Sequence, residues 1–176
     1  MPLTTLPPSA TRSRVLMSVS MKRIPLSQGK YAIVDDEDYD FLSKWKWYYC
    51  GNGCAMRDER NGKRCKRIAR IMHREIMKAK KGKDVDHVNH DRIDNRKCNL
   101  RICERWQNNG NALMRGGSSK YKGVCWDKFT KNWKAYIRKH NRDVHIGRFV
   151  SETDAAIAYN HAAKEHFGEF ALLNKI

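Results

Sequence analysis

Acidic, imidazole and amide side chains are concentrated in residues 84–111, DVDHVNHDRIDNRKCNLRICERWQNNGN. Asp86 and the asparagine amides offer hard oxygen ligands, which suit Mg²⁺ or Mn²⁺ better than they suit a structural zinc. His87 titrates near neutral pH and could take a proton from an attacking water. An activated water and a cation on the leaving oxygen are what the hydrolysis of a phosphodiester requires. The segment therefore indicates a small metal site beside a general base.

Three short elements are expected to position these side chains. The acid-histidine step follows an apolar valine where a short strand could end, and Leu100–Ile102 predicts a second short strand. The polar loop between them carries Asn95 and Asn99. Residues 104–111 predict a short helix that is rich in amides. A strand, a loop and a helix that follow one another in sequence would present these groups together.

At these residues the segment resembles the HNH, or ββα-metal, homing endonucleases. The residues that carry the resemblance are Asp86-His87, the central asparagine Asn99, and Asn108 on the helix. The resemblance implies that His87 is the general base and that Asp86 and Asn108 hold one divalent ion. It also implies that Asn99 braces the loop through backbone hydrogen bonds and that Asn95 helps to orient His87.

Each of these residues, taken singly, has a simpler explanation. An acid beside a histidine is often a surface coincidence, and Asn and Asp commonly serve turn geometry in a polar loop. His90 could contact phosphate or face solvent. On the helix, Asn109 and Asn111 are neighbours that could shift the assignment of the second ligand. The combination of residues at this spacing favours the nuclease over the separate explanations.

The charge of the chain indicates a partner that is rich in phosphate. The 176 residues include 36 Lys and Arg against 19 Asp and Glu, which gives a formal net charge of +17. Such an excess is typical of proteins that bind nucleic acid. A hydrophobic content of 40% still permits packed cores, so the chain is not a disordered polycation. Charge alone leaves a basic RNA-binding protein open as an alternative.

The cysteines and the lengths of the apolar segments indicate in which cellular compartment the protein is expected. Six cysteines occur without a CxxC pair, which disfavours a zinc ribbon, although Cys50, Cys54 and Cys65 stay open as a partial thiolate site. We find no secretory signal and no apolar run of roughly 18 residues. We therefore expect an intracellular, cytoplasmic protein with reduced thiols, without a membrane partner and without a small-molecule cofactor.

Changes in composition divide the chain into four segments. We expect a disordered leader at 1–20, a nuclease domain at 21–115, a Gly/Ser linker at 116–119, and a second domain at 120–176.

A basic hairpin within the nuclease domain is a candidate for DNA contact. Ala55–Arg60 and Arg64–Ile71 predict two strands around an Asn-Gly turn. One basic face of such a hairpin could lie along a phosphate backbone through Arg57, Arg64 and Arg67. A solvated basic face is the alternative.

The last domain is predicted to be a three-stranded antiparallel sheet packed on one helix. Its strands are predicted at Tyr121–Trp126, Trp133–Lys139 and Val144–Phe149, and the helix begins after Ser151 with a capping-box-like pattern. In the middle strand, Ala135 and Ile137 should face the helix, which leaves Lys134, Tyr136 and Arg138 on the outer face.

This domain resembles the Apetala-type, ethylene-response-factor (ERF) DNA-binding domain in its segments YKGV, WKAYIRK, HIGRF, ETDAAIAYNHAAKEHFG and ALLN. The resemblance implies that the sheet enters the major groove. Cys125 stands where the plant proteins usually have Arg, and His145 where they have Trp, so the plant target sequence is not carried over. The expected DNA-facing residues are Lys122, Trp126, Lys134, Tyr136, Arg138 and His145.

Together these observations predict an α+β protein with a small β-rich N-terminal module, a ββα-metal HNH motif, and an ERF-like module. The predicted activity is metal-dependent hydrolysis of double-stranded DNA with one Mg²⁺ or Mn²⁺ per site. A monomer or weak dimer with one site per chain would nick one strand at a time. The resemblance to phage and intron nucleases implies a phage or mobile-element gene. The rival hypothesis is a catalytically inactive, sequence-specific DNA-binding regulator.

Overall fold

Short antiparallel sheets and a few helices make up the α+β architecture of this computed structural model, which describes residues 20–61, 66–114, 116–139 and 142–176. The predicted leader therefore lies outside the described residues, apart from Ser20, and so does Arg64. Among the helices in the described ranges, none is long and apolar enough to cross a membrane.

The N-terminal part is built from two small sheets. Its elements are β1 (Met21–Pro25), β2 (Tyr31–Asp35), α1 (Asp36–Leu42), β3 (Tyr48–Tyr49), β4 (Ala55–Asn61), β5 (Lys66–Ile71) and α2 (Met72–Ile76). Strands β1 and β2 form a hairpin, and the second sheet has the order β3-β4-β5. Three acids in the first turn of α1 complement the helix dipole.

Helix α2 is shorter than the sequence predicts. The sequence after β5 favours a helix that begins at His73 and runs to Lys81, but the observed helix begins at Met72 and ends at Ile76. Lys78 adopts a positive φ of 48°, a left-handed conformation that cannot continue a right-handed helix. A turn therefore connects α2 to the next strand.

A strand, a strand and a helix follow in the predicted order. They are β6 (Asp84–His87), β7 (Leu100–Cys103) and α3 (Arg105–Asn111). The two strands are antiparallel and pair His87 with Leu100. Helix α3 begins with a capping box, in which Glu104 and Gln107 each accept from the other's backbone N–H. The helix and the strands thus meet at the same end of the small sheet.

The last part of the chain is a three-stranded antiparallel sheet covered by one helix. It comprises β8 (Val124–Asp127), β9 (Asn132–Lys139), β10 (Arg142–Phe149) and α4 (Glu152–Phe167), with the sheet order β10-β9-β8. Ala135 and Ile137 are buried while their neighbours in β9 are not, so the predicted strand parity is confirmed. The Ser151 hydroxyl accepts from the N–H of Asp154 and caps α4.

The cores do not follow the boundary between the two predicted domains. One core lies under the N-terminal sheets and reaches Val85 and Leu100 of the small β6–β7 sheet. A second core joins Cys103 of β7 to Tyr159 and Phe167 of α4. The C-terminal helix therefore packs directly on the strand-strand-helix unit.

Candidate active site

A cleft of about 820 Å³ opens beside β6 and α3. Its walls come from five parts of the chain: the loop between β3 and β4, the end of β5 with α2, β6, the loop after β6, and α3 with the residues that follow it. His87 and Asp86 line it from the strand, and Asn108 and Asn111 line it from the helix. The structure thus brings the predicted acid, histidine and helical amides to one cavity.

His87 is held as a buried, neutral imidazole. It is only 6% exposed, and its Nε2 lies 3.4 Å from Oδ1 of Asn95. Nδ2 of Asn95 donates to the carbonyl of Ile93 at 3.1 Å, so the amide oxygen is the atom that faces the ring. Nε2 of a neutral His87 then carries the proton, which leaves Nδ1 as the proton acceptor. Burial lowers the pKa of His87, against smaller opposing effects of Asn95 and Asp86.

Asn99 is the last residue of the loop between β6 and β7, and its side chain binds the backbone of that loop. Its Oδ1 accepts from the N–H of Asn89 at 2.9 Å, and its Nδ2 donates to the carbonyl of Asp94 at 2.8 Å. The same loop is attached to β2, because the N–H of Asn95 donates to the carbonyl of Ile33 at 2.7 Å. Asn95 and Asn99 are both buried, so the loop that contacts His87 is fixed from both sides.

Asp86 and Asp84 alternate with a buried valine on β6, and each accepts from one asparagine of α3. Nδ2 of Asn111 lies 3.0 Å from both carboxylate oxygens of Asp86, and it also donates to the His87 carbonyl at 3.2 Å. Nδ2 of Asn108 donates instead to Asp84, at 3.3 Å. The structure therefore places Asn111, rather than the predicted Asn108, against Asp86.

Of the two residues that contact Asp86, Asn111 was named from the sequence only as an alternative to Asn108, and Arg101 was not named. The spacing of three between Asn108 and Asn111 puts both on one helical face, but it does not say which of them lies over Asp86. Arg101, directly opposite Asp86 in the strand register, donates from Nε to its Oδ2 at 2.9 Å. That cross-strand pair could have been found only once the register of β6 and β7 was known.

His73 of α2 is the other histidine in the cleft. It is 8% exposed, and its ring meets His87 edge-on, with ring centroids 4.8 Å apart. Its buried Nδ1 has no hydrogen-bond partner among the described residues. Burial, with a smaller effect of His87, lowers the pKa of His73 to about 3. His73 is therefore neutral and forms an uncharged wall beside His87.

Two basic residues that were expected to contact DNA lie elsewhere. Arg57 is only 7% exposed, is paired with Glu75 at 2.9 Å, and packs its guanidinium on Trp45 at 4.2 Å. The alternation of β4 points it to the inner face, so it is not available to phosphate. Lys122 is half-buried and donates to the carbonyl of Gly110 at 2.5 Å.

The remaining predicted DNA-facing residues lie at or near the outer surface. Arg67 is exposed on β5. Trp126 is 39% exposed, but it lies opposite Trp133 and edge-on to it, on the face of the sheet that Ala135 turns to α4, so the prediction that it faces DNA with Lys134 and Tyr136 is wrong. Arg138 is exposed but pairs with Asp143 at 2.7 Å. The other members of this group are Lys134 and Tyr136, both half-buried, and His145, which is exposed.

A second acidic group, formed by Asp35, Glu37 and Asp38, lies away from the cleft. The ammonium of Lys97 is 2.6 Å from Glu37 and 3.1 Å from Asp38, and the N–H of Lys97 donates to Asp35 at 2.7 Å. These contacts place one positive charge against two of the three carboxylates and attach the loop before β7 to β2 and α1.

Comparison with known proteins yields no matching family model and no matching solved structure. The chain is 34% identical over 152 residues to an uncharacterized HNH endonuclease of Acanthamoeba polyphaga mimivirus. The match spans 85% of this chain and 77% of the viral protein, so it includes the cleft and most of the surrounding fold. With this similarity and with an acid, a histidine and helical amides in one cleft, the chain belongs to the HNH endonucleases.

Proposed function

We propose that this protein is a metal-dependent endonuclease that hydrolyses double-stranded DNA with His87 as the general base. The observation that carries the proposal is the placement of His87, a buried imidazole whose Nε2 faces the Asn95 amide oxygen at 3.4 Å and which follows the buried Asp86 in the cleft. Asn95 occupies its Nε2, burial keeps the ring neutral, and Nδ1 is left to accept a proton beside a buried carboxylate. A neutral imidazole is a base that operates near neutral pH.

The residues around Asp86 fit a hard divalent ion such as Mg²⁺ or Mn²⁺. Asp86 is buried, and its Oδ1 accepts only from the Asn111 amide among the hydrogen bonds of the described residues. Asn111 faces Asp86 with its Nδ2 donor, so its amide would turn over to present its oxygen to an ion held by Asp86. A carboxylate and an amide oxygen are ligands that Mg²⁺ and Mn²⁺ prefer. We propose Asp86 with Asn111 as the ion-holding pair and keep Asn108 as the alternative that the family resemblance implies.

The chain's own residues would perform the proton transfer and the orientation. Nδ1 of His87 takes a proton from water, whose oxygen attacks phosphorus while the bond to the 3′-oxygen breaks. The leaving 3′-oxygen takes a proton from solvent water, and the His87 imidazolium later returns its proton to solvent, so the products are a 5′-phosphate and a 3′-hydroxyl. A bound ion supplies positive charge at the leaving oxygen. Asn99 and Asn95 keep the loop and the imidazole in place while this occurs.

We propose the outer face of the β8–β10 sheet as the surface that places the DNA, in the manner of an ERF-like domain. His145 is exposed there, and it lies opposite Tyr136, with Lys134 on the same face. Trp126 is not part of this face, because it lies opposite Trp133 on the side that packs on α4. Arg138 can join this set only if it leaves Asp143, an exposed ion pair that contributes little to stability. A net charge of +17 supports strong attraction to phosphate.

Plasmid cleavage tests the proposal. Purified protein is incubated with supercoiled plasmid and Mg²⁺, Mn²⁺ or EDTA, next to His87→Ala and to His161→Ala, which changes an exposed histidine of α4. We expect open-circle product that needs metal and His87, and wild-type activity in the His161 variant. Linear product would indicate paired action of two chains. An absence of cleavage with a retained gel shift would refute the nuclease and favour the DNA-binding regulator.

A further inference from the structure

Lys122 lies between the C-terminal sheet and the end of α3. Its Nζ donates to the carbonyls of Gly110 at 2.5 Å and of Asn109 at 3.3 Å. Burial lowers the pKa of Lys122 to about 8, with only a smaller opposing effect of Asp86. A lysine that contacted DNA would keep its ammonium in solvent, whereas this one is turned inward to backbone carbonyls.

Helix α3 needs such a donor at its C-terminus. The last carbonyls of a helix have no partner within the helix, and a cation there is favoured by the helix dipole. The last turn of α3 contains no basic residue of its own. The carbonyl of Gly110 accepts from Lys122 and from the N–H of Leu172 at 3.1 Å. Both donors belong to the C-terminal part of the chain.

The backbone of Lys122 is itself fixed. Its N–H donates to Oδ1 of Asn174 at 2.7 Å, and Nδ2 of Asn174 returns a hydrogen bond to the Lys122 carbonyl at 3.1 Å. The N–H of Asn174 donates in turn to Asn160 of α4, at 2.7 Å. The ammonium is thus held by a chain of hydrogen bonds that ends on the C-terminal helix.

The same end of α3 is also fixed by packing. Gly110 lies so close to α4 that a Cβ at this position would be 2.6 Å from Cγ of Phe167. Trp106, one turn earlier, stacks on the same ring with centroids 6.0 Å apart. Arg101 continues the contact, because its Nη1 donates to the Glu169 carbonyl at 2.8 Å while its Nε holds Asp86.

We propose that Lys122 is a positioning residue for the active site, one that holds α3 so that Asn111 meets Asp86. The C-terminal part of the chain then completes the catalytic centre as well as placing the DNA. This inference rests on the proposed nuclease function. It replaces the DNA contact that the sequence predicts for Lys122.

The test compares Lys122→Met, Lys122→Arg and Lys128→Met, the last of which changes an exposed lysine in the β8–β9 turn. Nicking is measured against plasmid and Mg²⁺ concentration, and DNA affinity is measured by gel shift in EDTA at several salt concentrations. Amide hydrogen exchange of residues 105–111 is followed in the same variants without DNA or metal.

For Lys122→Met we expect kcat to fall about ten- to a hundredfold, because a displacement near 1 Å at a reacting centre can cost that much. The Mg²⁺ concentration for half-maximal rate should rise, while KM and the DNA affinity in EDTA stay at the Lys128→Met values. Lys122→Arg should recover most of kcat, since a guanidinium can also donate to two carbonyls. Exchange in 105–111 should accelerate only in Lys122→Met.

A weaker DNA affinity, with a salt slope lowered by about 1, would instead identify Lys122 as a phosphate contact and overturn the proposal. Unchanged exchange in 105–111, or faster exchange spread evenly over the whole chain, would also overturn it. If the wild-type protein cleaves nothing, the proposed function fails, and the exchange of 105–111 still decides whether Lys122 holds α3.

Discussion

Removing the amide of Asn111 should damage the site more than removing the amide of Asn108. In Asn111→Ala, both oxygens of Asp86 lose a donor at 3.0 Å and the His87 carbonyl loses one at 3.2 Å. Asn108→Ala removes one contact, at 3.3 Å, from the half-buried Asp84. The two variants remove the same amide from neighbouring turns of one helix, and they differ in the carboxylate that loses it and in the contact with the His87 carbonyl.

The size of the effect follows from burial and from the number of contacts. Leaving buried acceptors without a donor costs about 1–3 kcal/mol, so Asn111→Ala should lower the free energy of unfolding by that amount. Removing a group that orients a metal ligand commonly costs about 10- to 100-fold in metal affinity or activity. If Asn111 also binds the ion directly, we expect the loss to lie at the upper end of that range. Asn108→Ala should lose much less, both in free energy of unfolding and in metal affinity or activity.

The assay is the initial rate of plasmid nicking, measured against Mg²⁺ concentration for both variants, with urea unfolding of the same samples. We expect the Asn111→Ala curve to shift to higher Mg²⁺ and to reach a lower plateau. A larger loss of activity in Asn108→Ala, at equal or greater stability than Asn111→Ala, would refute this reasoning. That result would identify Asn108 as the second ligand, as the family resemblance implies.

Three further predictions concern stability. Gly110→Ala should cost about 1–3 kcal/mol of unfolding free energy from overpacking, whereas Gly51→Ala, where an added Cβ would have no neighbour within 4 Å, should change little in urea unfolding. Arg57→Ala breaks a buried ion pair and should lower the free energy of unfolding by about 3–5 kcal/mol, with unchanged DNA affinity. Arg67→Ala changes an exposed residue, so this variant should keep its stability and bind DNA more weakly in a gel shift. His73 is neutral in the folded chain down to a pKa of about 3, so the unfolded chain binds the proton first, and stability falls as pH drops from about 6.5 toward 3. In His73→Gln the urea midpoint should fall less steeply as the pH drops. An equal dependence of the midpoint on pH in both proteins would contradict the neutral state of His73.

Local patterns allowed most elements to be predicted. The alternation in β9 placed Ala135 and Ile137 inside, and the Ser151 cap located the start of α4. These features depend on neighbours within a few residues, which the sequence displays directly. Helix α2 was predicted too long because its end depends on a left-handed lysine, Lys78, and a lysine gives no local signal for that conformation.

Contacts between residues that are distant in sequence explain why the structure differs from the sequence predictions at the site and on the basic surface. Arg57 was predicted to face DNA because basic residues surround it in sequence, yet Glu75 and Trp45 receive it in the fold. A charge count cannot show that a partner some twenty residues away removes one arginine from the surface. That Asp86 and His87 lie beside the helical amides could be expected from the motif, but the choice between two amides could not.

That choice depends on the rotation and tilt of α3 along β6. A seven-residue helix is too short to be stable alone, so the surfaces packed around it determine its orientation. On one side these are Asp84 and Asp86; on the other they are Phe167 against Gly110 and the ammonium of Lys122 on the last carbonyls. A small rotation of α3 would exchange Asn111 for another side chain over Asp86. The register between strand and helix is therefore decided in part by Lys122 and by Phe167, which lie 12 and 57 positions beyond Gly110 and outside any motif confined to residues 84–111.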